Sequence, residues 1–310
     1  MESSAKIKID LRNVNETLLL PLWGRAEESK MKDTVLKDRK AAELVSRIDY
    51  DFTRFRSQIR RFQILTLAIR AREFDSILRD FIQQHPRATI VNIGAGLDTT
   101  FSRVDNGKIR WYDLDMPQVI RLRSELIPDS RKSNSIPKSM FDESFLNDIE
   151  TPDDGILFLV GGVLMYFDEE KVRGFFAVLG RRFPGAEIVF DSFSPAGIRL
   201  ASRMVQKSGI QGAQMKWGVR DTKDLERWEI GLKLAERYPI CFKTRIYRSW
   251  GIAGLLMRLN NAIRIININH MKFTSVQPGG GASYCPAYGG SVKPDAVVIE
   301  GGKLSKVKKA

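Results

Sequence analysis

The sequence has few residues of the types that bind metals or form disulfides. Its 310 residues include only two histidines, His85 and His270, and two cysteines, Cys241 and Cys285. Histidines this few and this far apart do not predict a metal site, and two cysteines do not indicate a disulfide framework. We therefore expect neither a bound metal nor a disulfide scaffold.

Long apolar runs are also missing. No segment has the about 20 apolar residues that a membrane-spanning helix requires. The first residues, MESSAKIKIDLRN, lack the apolar stretch and the small-residue cleavage pattern of a signal peptide. These absences predict a cytoplasmic protein without a membrane partner.

Negative charge is in the minority. Lysine and arginine number 50 against 37 aspartates and glutamates, so the formal net charge is +13. Such an excess can indicate a nucleic acid or an acidic membrane surface as partner. However, the basic residues are spread along the chain, mostly on segments that also carry acids, which is typical of a solvated surface. Nucleic acid is therefore not the expected partner.

Helical periodicity characterises the first part of the chain. Four apolar residues repeat at the spacing i, i+3, i+4 and i+7 of one helix face: Phe74, Ile77, Leu78 and Phe81. Pro86 then ends the pattern, because proline interrupts a helix. We predict an N-terminal helical region over residues 1–85.

Strands and helices alternate after that region. The predicted strands are 89–93, 109–114, 156–160 and 187–191, and a helix is predicted after Asp168, which suits an N-cap. Two further candidates, 242–247 and 264–273, are expected to pair as an antiparallel edge. This alternation is typical of a doubly wound, Rossmann-like α/β sheet that binds its ligand at the carboxyl ends of the strands. We assign residues 86–275 to this core.

Two segments depart from the alternation. Residues 192–237 have weak periodicity, several glycines and two tryptophans, and the pattern fits either a substrate lid or connecting helices. From residue 276 onward glycine and then lysine dominate, with Lys303, Lys306, Lys308 and Lys309 near the end. This composition predicts a flexible basic tail over residues 276–310.

A glycine pair follows the strand predicted at 89–93. Gly94 and Gly96 let the backbone turn sharply and allow a ligand to lie against the main chain. Dinucleotide-binding loops carry a third glycine, where this chain has Thr99, and the loop also contains Asp98. An anionic side chain is unfavourable beside a pyrophosphate but suits a cationic ligand such as the sulfonium of S-adenosylmethionine. The loop therefore favours a methyl donor over a nicotinamide cofactor.

The next predicted strand ends in acid. Asp113 and Asp115 lie two residues apart and would share one face of an ideal strand. A carboxylate at this place can accept hydrogen bonds from the hydroxyls of a ribose. The residues alone leave both aspartates as candidates.

Several motifs in order along the chain carry a family resemblance. The segments VNIGAGLDTTFSRVD, IRWYDLDMPQVIRLRSELIP and LVGGVLMYF resemble the leucine carboxyl methyltransferase family, which includes bacterial O-methyltransferases of the tetracenomycin polyketide type. Upstream, ETLLLPLWGRAEES, LKDRKAAELV and DYDF are similar to its N-terminal region. The resemblance implies a class I methyltransferase fold and methyl transfer from S-adenosylmethionine to an oxygen, commonly that of a carboxylate.

The same resemblance implies roles for the loop and for two arginines. Gly94 and Gly96 would shape the loop beneath the methionine part of the donor, and Asp115 would hold the ribose hydroxyls. Arg70 matches a family arginine that contacts the donor carboxylate, with Arg72 as its local competitor. Arginine suits this role because its planar fork can bind a carboxylate through two parallel hydrogen bonds.

Further positions of the family pattern lie on either side. Arg25 resembles a basic residue that closes over the donor carboxylate, and Met140 and Phe141 fall where the family flanks the adenine. Gly161 stands where the family usually has a glutamate, so one anionic anchor beside the donor is replaced. Tyr166 either faces the acceptor pocket or packs beneath it.

The expected function is therefore an S-adenosylmethionine-dependent O-methyltransferase that acts on a small molecule. A carboxylate acceptor is already ionised at neutral pH and needs no general base, so no catalytic residue is assigned. The alternatives are a protein C-terminal carboxyl methyltransferase, a nucleic-acid methyltransferase and a non-catalytic donor-binding module. The sequence does not indicate the oligomeric state.

Overall fold

A computed structural model describes residues 6–9, 18–150, 152, 154–207, 214–241, 243–244 and 250–274. The predicted tail at 276–310 and most of the predicted strand at 242–247 lie outside these residues. No helix within the described ranges is long and apolar enough to span a membrane.

Four helices make up most of the N-terminal region. They are α1 (Leu19–Glu28), α2 (Arg39–Arg47), α3 (Thr53–Gln58) and α4 (Arg61–Gln84). Two short strands, β1 (Ile7–Lys8) and β2 (Ile48–Asp49), pair in parallel beside them. The predicted apolar face of α4 is buried, and α4 ends two residues before Pro86, as the sequence predicts.

The core is a seven-stranded sheet. Its strands are β3 (Thr89–Ile93), β4 (Arg110–Asp115), β5 (Ser133–Pro137), β6 (Ile156–Val160), β7 (Glu187–Phe193), β8 (Leu232–Pro239) and β9 (Ile266–Phe273). They lie in the order β5-β4-β3-β6-β7-β9-β8, with β3 to β7 parallel and β9 antiparallel to both β7 and β8. The strand order reverses at β3, so a crevice opens at the carboxyl ends of β3, β4 and β6.

Helices connect the strands and cover the sheet. They are α5 (Phe101–Val104), α6 (Pro117–Leu126), α7 (Glu169–Arg182), α8 (Pro195–Lys207) and α9 (Gly251–Ala262), with short 3₁₀ turns at Glu143–Asn147, Leu164–Tyr166 and Thr222–Trp228. Helix α7 begins after Asp168 as predicted, but the Asp168 side chain does not bond to the helix backbone. It forms an ion pair with Lys216 instead, at 3.1 Å.

The prediction of the sheet edge was partly wrong. Strand β9 lies between β7 and β8, and the edge strand is β8, which lies largely inside the segment assigned to a lid or to connecting helices. A register shift between Leu234 and Glu236 interrupts the period-two pattern that identifies a strand in sequence. Strand β5 was not predicted either, because it is a polar edge strand that ends in Pro137.

Two tryptophans of the 192–237 segment pack against the core. Trp217 and Trp228 are 5% and 8% exposed, and their ring centroids are 6.0 Å apart. The Trp217 ring also stacks on Phe190 of β7, with centroids separated by 6.4 Å. These tryptophans therefore bury the segment against the sheet.

Candidate functional site

The loop after β3 requires glycine at two positions. Gly94 and Gly96 have φ angles of +67° and +50°, a region that side chains rarely adopt. A Cβ atom on Gly94 would lie 2.4 Å from Cγ2 of Val163, and one on Gly96 would lie 2.6 Å from Cδ1 of Leu18. Side chains of the protein thus occupy the Cβ positions of both glycines, and the backbone there is tightly enclosed.

Asp115 stands at the end of β4 and faces this loop. Its Oδ2 accepts a hydrogen bond from the Gly96 amide at 2.7 Å, and its Oδ1 accepts one from the Met116 amide, also at 2.7 Å. Burial raises the pKa of this carboxyl group, and the two amide bonds oppose that rise. Each oxygen retains a lone pair, so the half-buried carboxylate can still accept bonds from a diol.

Asp113, the competing aspartate, lies inside the protein. Its Oδ2 pairs with Nη2 of Arg123 at 2.6 Å, and its Oδ1 accepts bonds from Asn92 Nδ2 and Trp111 Nε1, both at 2.9 Å. Arg123 in turn donates to the carbonyl oxygens of Gly96 and Asp98. Asp113 therefore supports the loop from beneath, while Asp115 stands at its open edge.

Asp98 lies at the turn into α5, next to protein cations. Its Oδ2 accepts a bond from the Thr100 amide at 2.9 Å, and its Oδ1 is 4.0 Å from Nη2 of Arg25. Burial raises the pKa of Asp98, but Arg25, Arg103 and the bonds from Thr100 outweigh it and lower the pKa overall. The carboxylate is thus ionised, and protein groups already balance its charge without a bound donor.

A buried aspartate that the sequence analysis missed ties the N-terminal region to this loop. Asp38 is fully buried, and its Oδ2 accepts bonds from Arg25 Nε at 3.0 Å, Thr99 Oγ1 at 2.6 Å and Arg103 Nη1 at 2.8 Å. Its Oδ1 accepts a bond from the Ala41 amide at 2.9 Å, which caps α2. An aspartate before an amphipathic helix is a recognisable N-cap signal, but nothing local indicates the other three donors.

Arg25 is itself inside this network. It is 4% exposed and donates from Nη2 to the Leu97 carbonyl oxygen at 3.1 Å. Arg25 therefore reaches the glycine loop from α1. Its partners are the loop backbone and Asp38, whereas Arg70 pairs with Asp191. The two arginines predicted to bind one carboxylate have different aspartate partners.

Arg70 lies at the carboxyl ends of β6 and β7. Its Nη1 pairs with Oδ2 of Asp191 at 3.2 Å, and Oδ1 of Asp191 accepts the Gly162 amide at 2.6 Å. A Cβ on Gly162 would lie 2.8 Å from Nη1 of Arg70, and the next residue, Val163, touches Gly94. Arg70 thus adjoins the glycine loop through this turn. Asp191 was also missed as a site residue, although it closes the strand predicted at 187–191 as Asp115 closes β4. That signal could have identified it, even though β7 itself continues to Phe193.

Arg72 points elsewhere. It lines an open cleft of about 380 Å³ together with Lys37, Asp75, Arg79 and Arg103. This cleft lies on the side of α4 away from the Arg70–Asp191 pair, since α4 places residues two apart on different faces. The geometry therefore favours Arg70 over Arg72 at the donor edge.

Gly161 has a steric reason to be glycine. A Cβ at this position would lie 2.8 Å from Cε2 of Phe74, so the Phe74 ring occupies the space that a side chain would need. The neighbouring carboxylate of Asp191 supplies negative charge at the same end of β6 and β7. The resemblance implies a glutamate side chain at position 161. In this chain the Phe74 ring fills that space, and Asp191 supplies a carboxylate nearby.

Tyr166 stands next to the Arg70–Asp191 pair. The described residues offer its hydroxyl no hydrogen-bond partner, and the side chain is only partly buried. Burial raises the pKa of Tyr166, Arg70 lowers it and Asp191 raises it, with a net rise. The phenol therefore stays protonated at neutral pH and has a free donor.

The two residues predicted beside the adenine differ in exposure. Met140 is 9% exposed and joins the core, whereas Phe141 is 39% exposed after β5. The Phe141 ring packs edge-on against Phe167, with centroids 4.7 Å apart. Only Phe141 thus presents an aromatic surface to a ligand.

One part of the 192–237 segment borders the site. The amides of Lys216 and Trp217 donate to the Met165 carbonyl oxygen at 2.7 and 3.1 Å, and the Val219 amide donates to Phe193 at 2.7 Å. This strip therefore lies across the ends of β6 and β7, beside Tyr166. Its position is compatible with either a lid or a connection.

Comparisons with known proteins identify the family. The model of the leucine carboxyl methyltransferase family matches residues 19–179. The tetracenomycin polyketide synthesis O-methyltransferase TcmP of Streptomyces glaucescens is 32% identical over 80% of this chain and 92% of its own length. The S-adenosyl-L-methionine-dependent methyltransferase dpfgK of Gibberella zeae is 29% identical over 82% of this chain and 92% of its own length.

Solved structures show the same fold. A DUF574 family protein from Streptomyces avermitilis superposes with a TM-score of 0.54 at 12% identity, over 82% of this chain and 97% of its own. A protein from Thermobifida fusca with a provisional methyltransferase assignment gives 0.52 at 13% identity, over 81% of this chain and 94% of its own. The predicted Rossmann-like methyltransferase fold is thereby confirmed.

Proposed function

This chain belongs to the leucine carboxyl methyltransferase family and is an S-adenosylmethionine-dependent O-methyltransferase, and on that basis we propose where it holds the donor and what it methylates. The observation that carries the proposal is the convergence of Asp115, the Gly94–Gly96 loop and Arg70 at the crevice where the strand order reverses. A nucleoside with an amino-acid tail needs a hydrogen-bond acceptor for its ribose hydroxyls at one end and a cation for its carboxylate at the other.

The donor end of the site fits S-adenosylmethionine. When bound, this donor supplies a methyl group on a positively charged sulfur, which an acceptor oxygen displaces in line. Asp115 would accept bonds from the ribose hydroxyls, and Phe141 would cover the adenine. The backbone of the Gly94–Gly96 turn, whose Cβ positions Val163 and Leu18 occupy, would lie against the methionine part.

Arg70 is suited to the donor carboxylate. Among the described residues, Asp191 engages Nη1 alone, so the other donors of the guanidinium fork are open to a second carboxylate there. Its side chain is 18% exposed, which allows a ligand to reach it. Asp191 would hold the guanidinium in place while Arg25 supports the loop from the other side.

The acceptor we propose is a small molecule with a carboxylate or hydroxyl oxygen. Because the Tyr166 phenol stays protonated, it can donate a hydrogen bond that orients such an oxygen, but it is a poor base. This favours an acceptor that is already ionised. A relative named for polyketide synthesis supports a polyketide-type acid as the first acceptor to test.

Asp115→Asn should weaken S-adenosylmethionine binding by roughly 10- to 100-fold, because hydrogen bonds to a charged group contribute about 1.5–3 kcal/mol. Isothermal titration calorimetry with S-adenosylmethionine measures the change. Asp129→Asn is the matched control, since this exposed carboxylate also holds a local partner, Ser135, at 2.7 Å. An unmodified protein that binds NAD but not S-adenosylmethionine would contradict the proposal.

Tyr166→Phe should lower kcat/KM for the acceptor by about tenfold, the value of one lost hydrogen bond of about 1–1.5 kcal/mol. The dissociation constant of S-adenosylmethionine should stay the same. Steady-state kinetics across pH separates the two possible roles of the phenol. If Tyr166 were the base, the activity of the unmodified protein would rise with pH as the phenol ionises and the variant would lose that rise, whereas an orienting donor gives no such rise.

A further inference from the structure

Helix α9 carries a ridge of exposed apolar side chains. Ile252 is 79% exposed, Leu255 66%, Leu256 41%, Leu259 54% and Ile263, directly after the helix, 57%. Their spacing of i, i+3, i+4, i+7 and i+11 places them on one face of a helix. We call this set the α9 ridge.

The α9 ridge faces away from the protein. Ala253, Met257 and Asn260 lie on the other side of the helix and are buried, where α9 packs against α4. Single exposed apolar residues are normal on protein surfaces, but a continuous row marks an interaction site. The ridge is convex, because its side chains stand outward from the helix rather than line a groove.

The charge around the ridge is positive. The α9 sequence, GIAGLLMRLNNA, contains no acid, and both Arg258 and Arg264 are exposed. Helix α8 begins beside the end of α9, since a Cβ on Gly197 would lie 2.7 Å from the Ile265 carbonyl oxygen. Helix α8 adds further exposed residues of the same two kinds: Arg199, Leu200 and Arg203.

Two acids on or beside β8 are already paired. Asp221 forms an ion pair with Arg237 at 2.8 Å, and Glu236 pairs with Lys243 at 2.9 Å. The arginines that flank the α9 ridge are therefore not neutralised by these carboxylates. An anionic partner would complement them.

A second copy of the chain fits this surface poorly. A helix of 12 residues is about 18 Å long, and the ridge alone covers much less than the roughly 800 Å² per partner of a stable interface. A symmetric pair would also bring the same arginines together. A lipid surface needs no matching shape, and its anionic headgroups attract arginine.

We propose that the α9 ridge docks the protein on an anionic lipid surface. The apolar side chains enter the boundary between headgroups and acyl chains, and the flanking arginines contact lipid phosphates. The helix lies along the surface, so no membrane-spanning segment is needed. From the sequence we expect no membrane partner, because no segment is long enough and apolar enough to span a membrane. That reasoning does not apply to a helix that lies on the lipid surface. The inference goes beyond methyl transfer and does not depend on it.

Vesicle sedimentation with the full chain tests this inference. We expect binding to vesicles of phosphatidylcholine and phosphatidylglycerol in equal parts, and little binding to phosphatidylcholine alone. Leu255→Glu should lower the partition coefficient by at least about tenfold, because it removes an apolar contact and adds repulsion. Met31→Glu is the matched control: Met31 is 41% exposed outside the ridge, so this variant should bind like the unmodified protein.

Three results would overturn the inference. One is the absence of binding to the anionic vesicles. Another is binding that survives Leu255→Glu, which would assign the attraction to other basic residues such as those at 303–309. The third is a dimer in light scattering that Leu255→Glu splits, which would assign the ridge to a second copy. Circular dichroism melting curves of both variants check that each is folded.

Discussion

Gly94→Ala is expected to lower the affinity for S-adenosylmethionine at least about 100-fold, since displacing a positioned group by about 1 Å can cost that much. The φ angle of +67° strains any side chain, and the added Cβ would lie 2.4 Å from Val163 Cγ2. The loop must then shift away from Val163, together with the backbone that we propose faces the donor. Calorimetric titration with the donor measures the loss.

Gly107→Ala provides a control with the same backbone strain. Gly107 has a φ angle of +76°, but an added Cβ would meet no atom within 4 Å. This variant should lose about 1–2 kcal/mol of unfolding free energy from the left-handed conformation and keep its donor affinity. Equal affinities in the two variants would show that the enclosed loop is not part of the donor site.

Asp38→Ala should lower the free energy of unfolding by about 3 kcal/mol, the lower end of the 3–5 kcal/mol expected when a buried ion pair loses one partner. We expect the smaller loss of unfolding free energy because both arginines retain another anionic partner. Arg103 still bonds to Asp75 at 2.7 and 2.9 Å, and Arg25 still forms an ion pair with Asp98 at 4.0 Å. Urea unfolding followed by circular dichroism measures the change.

Donor binding supplies the second measurement for Asp38. Because Asp38 holds Arg25 and Thr99 against the loop, saturating donor should stabilise the variant less than the unmodified protein. Asp49→Ala, at an exposed position after α2, should change stability by no more than about 0.5 kcal/mol. A stability loss without any change in donor stabilisation would restrict Asp38 to a structural role.

Local patterns predicted the centre of the sheet well. The apolar runs of β3, β6 and β7 are buried on both faces, so each strand is recognisable in sequence without its neighbours. Strands β5 and β8 lie at the two edges, where polar residues and the shift at Leu234 blur that pattern. The sequence therefore predicted the middle of the sheet and missed its edges.

The candidate site divides along similar lines. Gly94 and Gly96 are recognisable because a turn defines them locally, whereas the strand end indicated both Asp113 and Asp115, and only the family resemblance separated the two. Asp38 and Asp191 act on partners far along the chain: Thr99 is 61 residues from Asp38, and Arg70 is 121 residues from Asp191. No periodicity or short motif connects positions so far apart. Only the folded chain brings these aspartates to the loop and the arginine.

The contact between Phe74 and Gly161 limits how this site can have evolved. A side chain at position 161 collides with the Phe74 ring, while a smaller residue at position 74 beside Gly161 leaves a hole at the end of β6. The two positions are therefore energetically coupled, so a substitution at one changes the cost of a substitution at the other.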